Sequence, residues 1–257
     1  MSVRAPSVIP MSAFASQKFV AALAIIATPF ALGAFLLAWS PSEQFHMSNP
    51  ESDGYVQPRS VGDLVERTQE STVSVFCVVR DDDWDLGSAW AIELENGLGE
   101  KFPTTLITNH HVIEECIGGK GEVTIAELYR DPVPARIIKW DKENDLAVLA
   151  TGLKIEPLGL SQAEPWPGYW VMVVGSADGY QGSVAFGSVL NATDNEIFIT
   201  ANVSGGNSGG PLIDNEGLVI GTTSWGKKSE QYNGAKSLNA MCEQILKCDG
   251  EFYWARD

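Results

Sequence analysis

Along most of this chain apolar residues recur in short runs, many of them alternating with polar ones, and turn-forming residues separate the runs. The runs occupy 72–79, 88–94, 104–108, 123–128, 135–140 and 146–150, then 169–174, 183–190, 196–200, 211–214 and 218–224. Their lengths are those of strands and are too short for independent helices. Between the two groups, 156–168 carries Pro157, Pro165 and Pro167 and reads as a linker. Helical patterns are few. One covers 60–70, with Ser60 as N-cap and Asp63 three residues on; another covers 238–246. The pattern predicts an all-β protein in two antiparallel halves.

The exception is 19–39, which holds 21 consecutive uncharged positions. At about 1.5 Å per residue such a helix spans a hydrocarbon core of roughly 30 Å. Arg4 and Lys18 precede it and no acid does. The positive-inside rule then leaves 1–18 in the cytoplasm and everything after the span outside. The expectation is a single-pass cell-membrane anchor. The alternative is a cleaved signal, giving a secreted or periplasmic protein. Its apolar core would normally be roughly 7–15 residues, and the candidate cleavage site Ala38-Trp39-Ser40 is followed by Pro41. The stretch 40–60, rich in Pro, Ser, Asn, Asp and Glu, reads as a flexible stalk before a folded domain over 61–257.

All 33 acids lie beyond residue 40, against 15 of the 17 basic residues, a net of −18 outside the membrane. So acidic a surface argues against nucleic-acid binding and against docking on anionic lipid. The acidic run Asp81-Asp82-Asp83-Trp84-Asp85 reads as a solvated hairpin loop rather than a calcium site. No Cys or His spacing matches a metal site, and no cofactor is expected. Asn191 and Asn202 begin glycosylation sequons; Asn202 stands six residues before Ser208, so both read as chance matches.

The segment Gly206-Asn207-Ser208-Gly209-Gly210-Pro211 carries the clearest chemistry. Glycines around a serine allow a sharp turn and close approach of a substrate. They leave the N–H groups of Gly206 and Ser208 free for a developing oxyanion. The string also fits G-x-S-x-G, whose enzymes place acid and then histidine after the serine. Here His46, His110 and His111 all precede Ser208, which excludes that order. An Asp-His-Ser order would need an acid from the all-polar 81–85 run. The order His, Asp, Ser is available. Thr108-Asn109-His110-His111-Val112 follows one apolar run, and Asn144-Asp145-Leu146-Ala147-Val148-Leu149 opens another. Asp141 lies in a polar stretch and reads as a solvated turn acid; Asp145 leads into an apolar strand where a carboxylate can be buried.

At these three motifs the chain resembles the trypsin-like serine peptidases, most closely the HtrA/Deg branch, with its T-N-x-H-V, D-[IL]-A-V-L and G-N-S-G-G-P strings. Leu64-Val65-Glu66, Gly87-Ser88-Ala89-Trp90, Gly175-Ser176 and Gly187-Ser188-Val189 extend the resemblance over about 61–246. It implies two six-stranded antiparallel β-barrels, about 71–155 and 166–240, with a short C-terminal helix. It implies a serine endopeptidase acting on protein or peptide substrates, with His111, Asp145 and Ser208 as triad and the Gly206 and Ser208 amides as oxyanion hole. The imidazole directly before Val is the family's catalytic one, which selects His111 and leaves His110 as a partly exposed loop residue. The branch commonly carries a PDZ domain after the protease; only about ten residues follow the terminal helix here, so none is expected. The oligomeric state stays open. The alternatives are a latent protease or a proteolytically silent binding module.

The resemblance also implies a substrate pocket walled by Asn202 and Val203 before the serine, by Ser224, Trp225 and Gly226 after it, and by the segment holding Lys236. Val203 suggests an apolar floor and small or medium aliphatic residues before the cut. Lys236 either reaches solvent or, if turned inward, favours acidic residues. The four cysteines, outside the cytoplasm, favour disulfides. Cys77 and Cys116 both belong to barrel one, and Cys242 and Cys248 close a short loop, so the expected pairs are Cys77–Cys116 and Cys242–Cys248.

Overall fold

The computed structural model describes residues 53–80, 83–94, 99–227 and 232–246. The expected span 19–39 and the stalk up to residue 52 lie outside them. No helix among the described residues is long and apolar enough to cross a membrane.

After helix α1 (Val61–Glu70) come β1 (Thr72–Arg80), β2 (Asp83–Ile92), β3 (Thr104–Thr108), β4 (Glu122–Ala126), β5 (Val133–Asp141) and β6 (Leu146–Thr151). A one-turn helix α2 (His110–Ile113) follows β3. These six strands close a barrel in the order β1-β2-β3-β6-β5-β4. The second barrel, β10-β11-β12-β9-β8-β7, is built from β7 (Trp170–Gly175), β8 (Ser183–Ala192), β9 (Glu196–Ile199), β10 (Pro211–Ile213), β11 (Val219–Lys227) and β12 (Tyr232–Ser237). All ladders are antiparallel. The short helix α3 (Leu238–Ala240) continues into one further helical stretch, Met241–Leu246.

Alternation explains why three strands are buried on both faces. On β2, Ala89 and Ala91 point into barrel one, while Trp90 and Ile92 point into a core shared with barrel two. On β6, Ala147 and Leu149 face inward and Leu146 and Val148 face the shared core. On β7, Val171 and Val173 fill barrel two, and Met172 and Val174 meet the shared core. A period of two thus feeds two cores from one strand. Leu64 of α1 and Leu238, Met241 and Ile245 of the C-terminal helices pack on the same shared core. Trp90, fully buried, donates its indole N–H to Thr222 Oγ1 at 3.1 Å, tying the barrels together. Truncating such a tryptophan typically costs about 3–5 kcal/mol.

Several expectations are corrected in detail. β2 begins at Asp83, so the end of the acidic run is strand: Asp83, Trp84 and Asp85 pair with Arg80, Val78 and Cys77 of β1. Exposure on that end of the hairpin permits the charges. β12 was not foreseen, because Tyr-Asn-Gly-Ala-Lys-Ser lacks alternation and holds turn formers; pairing with β9 and β11 on both sides overrides that propensity. Ser60 occupies the N-cap of α1 without a side-chain capping bond. The segment after Asp53 is held against barrel two: Asn215 donates its amide to the carbonyls of Asp53 and Val56 at 2.7 and 2.9 Å. Trp170 N–H bonds Gly54 O, and the Tyr55 ring sits edge-on to Tyr169. Cys77 and Cys116 are disulfide-bonded. Cys242 is also disulfide-bonded, and its expected partner, Cys248, lies outside the described residues.

Candidate active site

Barrel one supplies the imidazole and the carboxylate. β3 ends at Thr108, Asn109 caps the next turn, and the chain passes at once into α2, which carries His111. The Asx turn at Asp141, whose carboxylate accepts the N–H groups of Glu143 and Asn144, delivers Asp145 to the head of β6. Asp145 adopts φ 52°, a left-handed conformation uncommon outside glycine. Its carbonyl is held by the Asn109 side-chain amide at 2.8 Å. Backbone strain of this kind persists where surrounding bonds over-determine it.

The Asp145 carboxylate grips His111 twice. Its oxygens lie 3.0 and 2.9 Å from His111 Nδ1, and Oδ1 also accepts the His111 backbone N–H at 3.0 Å. Ser224 on β11 donates its hydroxyl to Oδ2 at 2.6 Å. Burial pushes the Asp145 carboxyl up, but the bonds and charge of His111 and the Ser224 hydroxyl outweigh it and hold the group below its ordinary value. The side chain of His111 is 46% exposed and that of Asp145 is 22% exposed, so the imidazole's other edge faces open space. The neighbouring His110 is buried at 4% exposure rather than partly exposed, since α2 turns it into the protein while His111 points out. Asp141 proves to be the turn acid expected of it.

Barrel two supplies the serine loop. Gly206 has φ 95°, and a side-chain carbon there would fall 2.1 Å from the Ser176 carbonyl oxygen, so only glycine fits. The Gly206 carbonyl accepts the Ser88 hydroxyl at 2.6 Å and the Ser176 N–H at 3.3 Å. Ser88 N–H in turn bonds the Ser208 carbonyl at 2.7 Å, and Gly209 N–H bonds Thr223 O at 2.7 Å. Carbonyls are thereby turned into the protein. Among the described residues the N–H groups of Gly206 and Ser208 take no protein acceptor. Ser208 Oγ donates to the main-chain carbonyl of Ser224 at 3.0 Å, not to the His111 ring.

Ser224 therefore links all three: its hydroxyl holds Asp145 and its carbonyl receives Ser208. The sequence places it in the pocket wall and gives no sign of the first role, nor of the bonds by which Ser88 holds the serine loop. Val203 turns its side chain onto the core of barrel two and its carbonyl toward Gly226. Asn202 is exposed. Trp225 meets Phe198 and Tyr232 edge-on, with centroids 5.9 and 5.8 Å away. Lys236 points neither to free solvent nor to an empty pocket: its ammonium lies 2.8 Å from Glu196 Oε1, across the β9–β12 ladder. Among the described residues no group of three or more His, Cys, Asp or Glu is placed to hold a metal ion.

Two six-stranded barrels that bring an imidazole–carboxylate pair and a glycine-flanked serine together define the trypsin-like serine endopeptidase class. The trypsin-like peptidase domain family matches residues 87–221, more than half of the chain, and the chain belongs to that family. A probable periplasmic serine endoprotease, DegP-like, from Hahella chejuensis is 34% identical over 130 residues, 46% of this chain and 27% of that protein. Protease Do-like 1, chloroplastic, from Arabidopsis thaliana is 27% identical over 227 residues, 77% of this chain and 49% of that protein. The chain thus matches about a quarter of the length of the DegP-like relatives. The crystal structure of the active form of the Rv3671c protease from M. tuberculosis has TM-score 0.62 and 22% identity, covering 76% of this chain and 89% of that one. That likeness is one of fold.

Proposed function

We propose that this protein is an extracytoplasmic serine endopeptidase using Ser208, His111 and Asp145. Ser208 Oγ attacks the scissile carbonyl carbon and passes its proton to His111 Nε2. The new oxyanion is received by the N–H groups of Gly206 and Ser208. His111 then protonates the leaving amine, the C–N bond breaks, and an ester to Ser208 remains. Water, deprotonated by the same imidazole, hydrolyses that ester and restores the serine. Asp145 keeps the proton of the neutral imidazole on Nδ1 and stabilises the imidazolium. The observation that carries the reading is the double grip of Asp145 on His111 Nδ1 and backbone N–H, with Ser224 as a third anchor.

A second reading, a latent protease, is favoured by one contact. The Ser208 hydroxyl is engaged by the Ser224 carbonyl, so it must rotate toward the imidazole before it reacts. The names of the periplasmic relatives support placement outside the cytoplasm. The uncharged run 19–39 supports a single-pass anchor, which alkaline carbonate extraction tests: retention in the pellet is expected, and a mature N-terminus near Pro41 contradicts it. For the activity, the full-length protein is expected to degrade casein, and Ser208→Ala is expected to abolish this. Equal degradation by both proteins would refute the assignment.

A further inference from the structure

The two amides that receive the oxyanion are aimed by different parts of the chain. In a trans peptide the N–H points opposite to the carbonyl of the preceding residue, so whatever holds that carbonyl aims the donor. The Ser208 N–H shares its peptide with the Asn207 carbonyl, which accepts the Gly210 N–H at 2.9 Å, inside the serine loop's own turn. The Gly206 N–H shares its peptide with the Gly205 carbonyl. That carbonyl accepts the Asp178 N–H at 2.6 Å, from the loop between β7 and β8. Among the described residues it takes no other donor, and a side-chain carbon at Gly205 would meet nothing within 4 Å. One bond from a neighbouring loop thus sets the direction of one of the two oxyanion donors.

Asp178 makes that bond from an unusual backbone. Its φ is 49° and its ψ 28°, in the left-handed region. Among the described residues only Asp145 and Tyr129 are other non-glycines with positive φ, and the Tyr129 N–H bonds Gln181 Oε1, in the same loop as Asp178, at 3.0 Å. Further bonds hold the loop in place. Gly179 N–H meets Ser176 O at 2.9 Å and Tyr180 N–H meets Ala177 O at 2.8 Å. Gln69 of α1 donates to the Gly182 carbonyl at 2.6 Å, and the Ser176 and Ser74 hydroxyls lie 2.7 Å apart. An over-determined, left-handed residue is thereby pointed at the carbonyl behind the oxyanion hole, which is where stored backbone strain is expected to serve a function.

Resting on Ser208 as nucleophile, we infer that Asp178 is a positioning residue for the oxyanion hole: its main-chain N–H, presented by a left-handed backbone, turns the Gly206 N–H toward the reacting carbonyl. The donor is the main chain, so the carboxylate of Asp178 takes no part. Without the bond, the Gly205–Gly206 peptide is free to turn its N–H away from the substrate. The Ser208 N–H keeps its direction, because Gly210 still holds the Asn207 carbonyl. The hole then works with one donor in place of two.

The test uses the full-length protein, casein hydrolysis, and the variants Asp178→Pro, Asp178→Val and Asp178→Gly. Proline has no N–H and a φ fixed at about −65°. In Asp178→Pro, kcat should fall by roughly 10²–10³, the loss of one oxyanion donor. KM should change little, because that donor acts on charge present only in the transition state. Valine keeps the N–H but resists the left-handed region, which glycine adopts freely. Asp178→Gly is therefore expected to turn over about tenfold faster than Asp178→Val, a left-handed side chain costing a factor of that order. The acid limb of the pH–rate profile should stay in place in all three, since the Asp145–His111 pair is untouched; a general loosening of the site would move it. Should Asp178→Pro fail to fold, the Gly/Val ratio decides alone. Equal kcat for Asp178→Gly and Asp178→Val, with Ser208 of the wild type labelled by fluorophosphonate, overturns the assignment of Asp178 only. Folded wild-type protein that is not labelled overturns the nucleophile, and this inference with it.

Discussion

The Ser224 hydroxyl donates to Asp145 Oδ2 at 2.6 Å across 79 positions of sequence, joining β11 of the second barrel to the carboxylate of the first. It is one of the bonds that keep Asp145 ionised against its burial. Ser224→Ala is expected to raise the Asp145 pKa and loosen the imidazole. Hydrogen bonds to charged groups contribute about 1.5–3 kcal/mol, so kcat should fall at least about tenfold with KM little changed. The acid limb of the pH–rate profile should move to higher pH, and Ser224→Thr should restore it. A rise in KM alone would make Ser224 a pocket residue.

Gly206→Ala would place a methyl against the Ser176 carbonyl at a backbone angle that disfavours any side chain. The loop must shift, and with it the two free N–H groups. Loss of an oxyanion donor costs roughly 10²–10³ in kcat. Steady-state kinetics should show that loss while circular dichroism shows the barrels intact.

Asp214, in the turn between β10 and β11, has its carboxyl raised above the ordinary value chiefly by burial, although its Oδ1 accepts the N–H groups of Glu216 and Leu218. Between the ordinary and the raised value the native state keeps a proton that the unfolded chain has released. Stability therefore falls as pH rises through that window. Asp214→Asn keeps an acceptor oxygen for both amides and removes the charge. It is expected to melt higher than wild type near neutral pH, with the difference shrinking as pH falls from the raised value toward the ordinary one and smallest below about pH 4, where the wild-type carboxyl is neutral in both states. Thermal melts across that range check the sign.

The Cys77–Cys116 bond closes a loop across a separation of 39 residues, from β1 to the turn after α2. Loop-closure entropy gives about 4 kcal/mol for such a crosslink. Cys77→Ser with Cys116→Ser should lower the denaturant midpoint accordingly. Because the bond anchors the segment following His111, activity should fall at temperatures below the global melt.

What was legible in the sequence was local. Strand runs such as 104–108 and 146–150 declare themselves because their apolar residues leave no other choice, and the serine loop because only glycines permit its turns. What was not legible depends on contacts distant in sequence. β12 is a strand because β9 and β11 flank it, not because Tyr-Asn-Gly-Ala-Lys-Ser favours one. Lys236 finds Glu196 only once that ladder forms, and His110 is buried only because α2 rotates it away from His111. Ser224 carries no local sign of its bond to Asp145.

The central claim is that Ser208 is a nucleophile activated by His111, and intact-mass analysis of the full-length protein after fluorophosphonate treatment tests it most directly. One adduct mapping to Ser208 is predicted, absent in Ser208→Ala and His111→Ala and present in His110→Ala. Folded wild-type protein without an adduct, or an adduct that survives in His111→Ala and disappears in His110→Ala, would contradict the account.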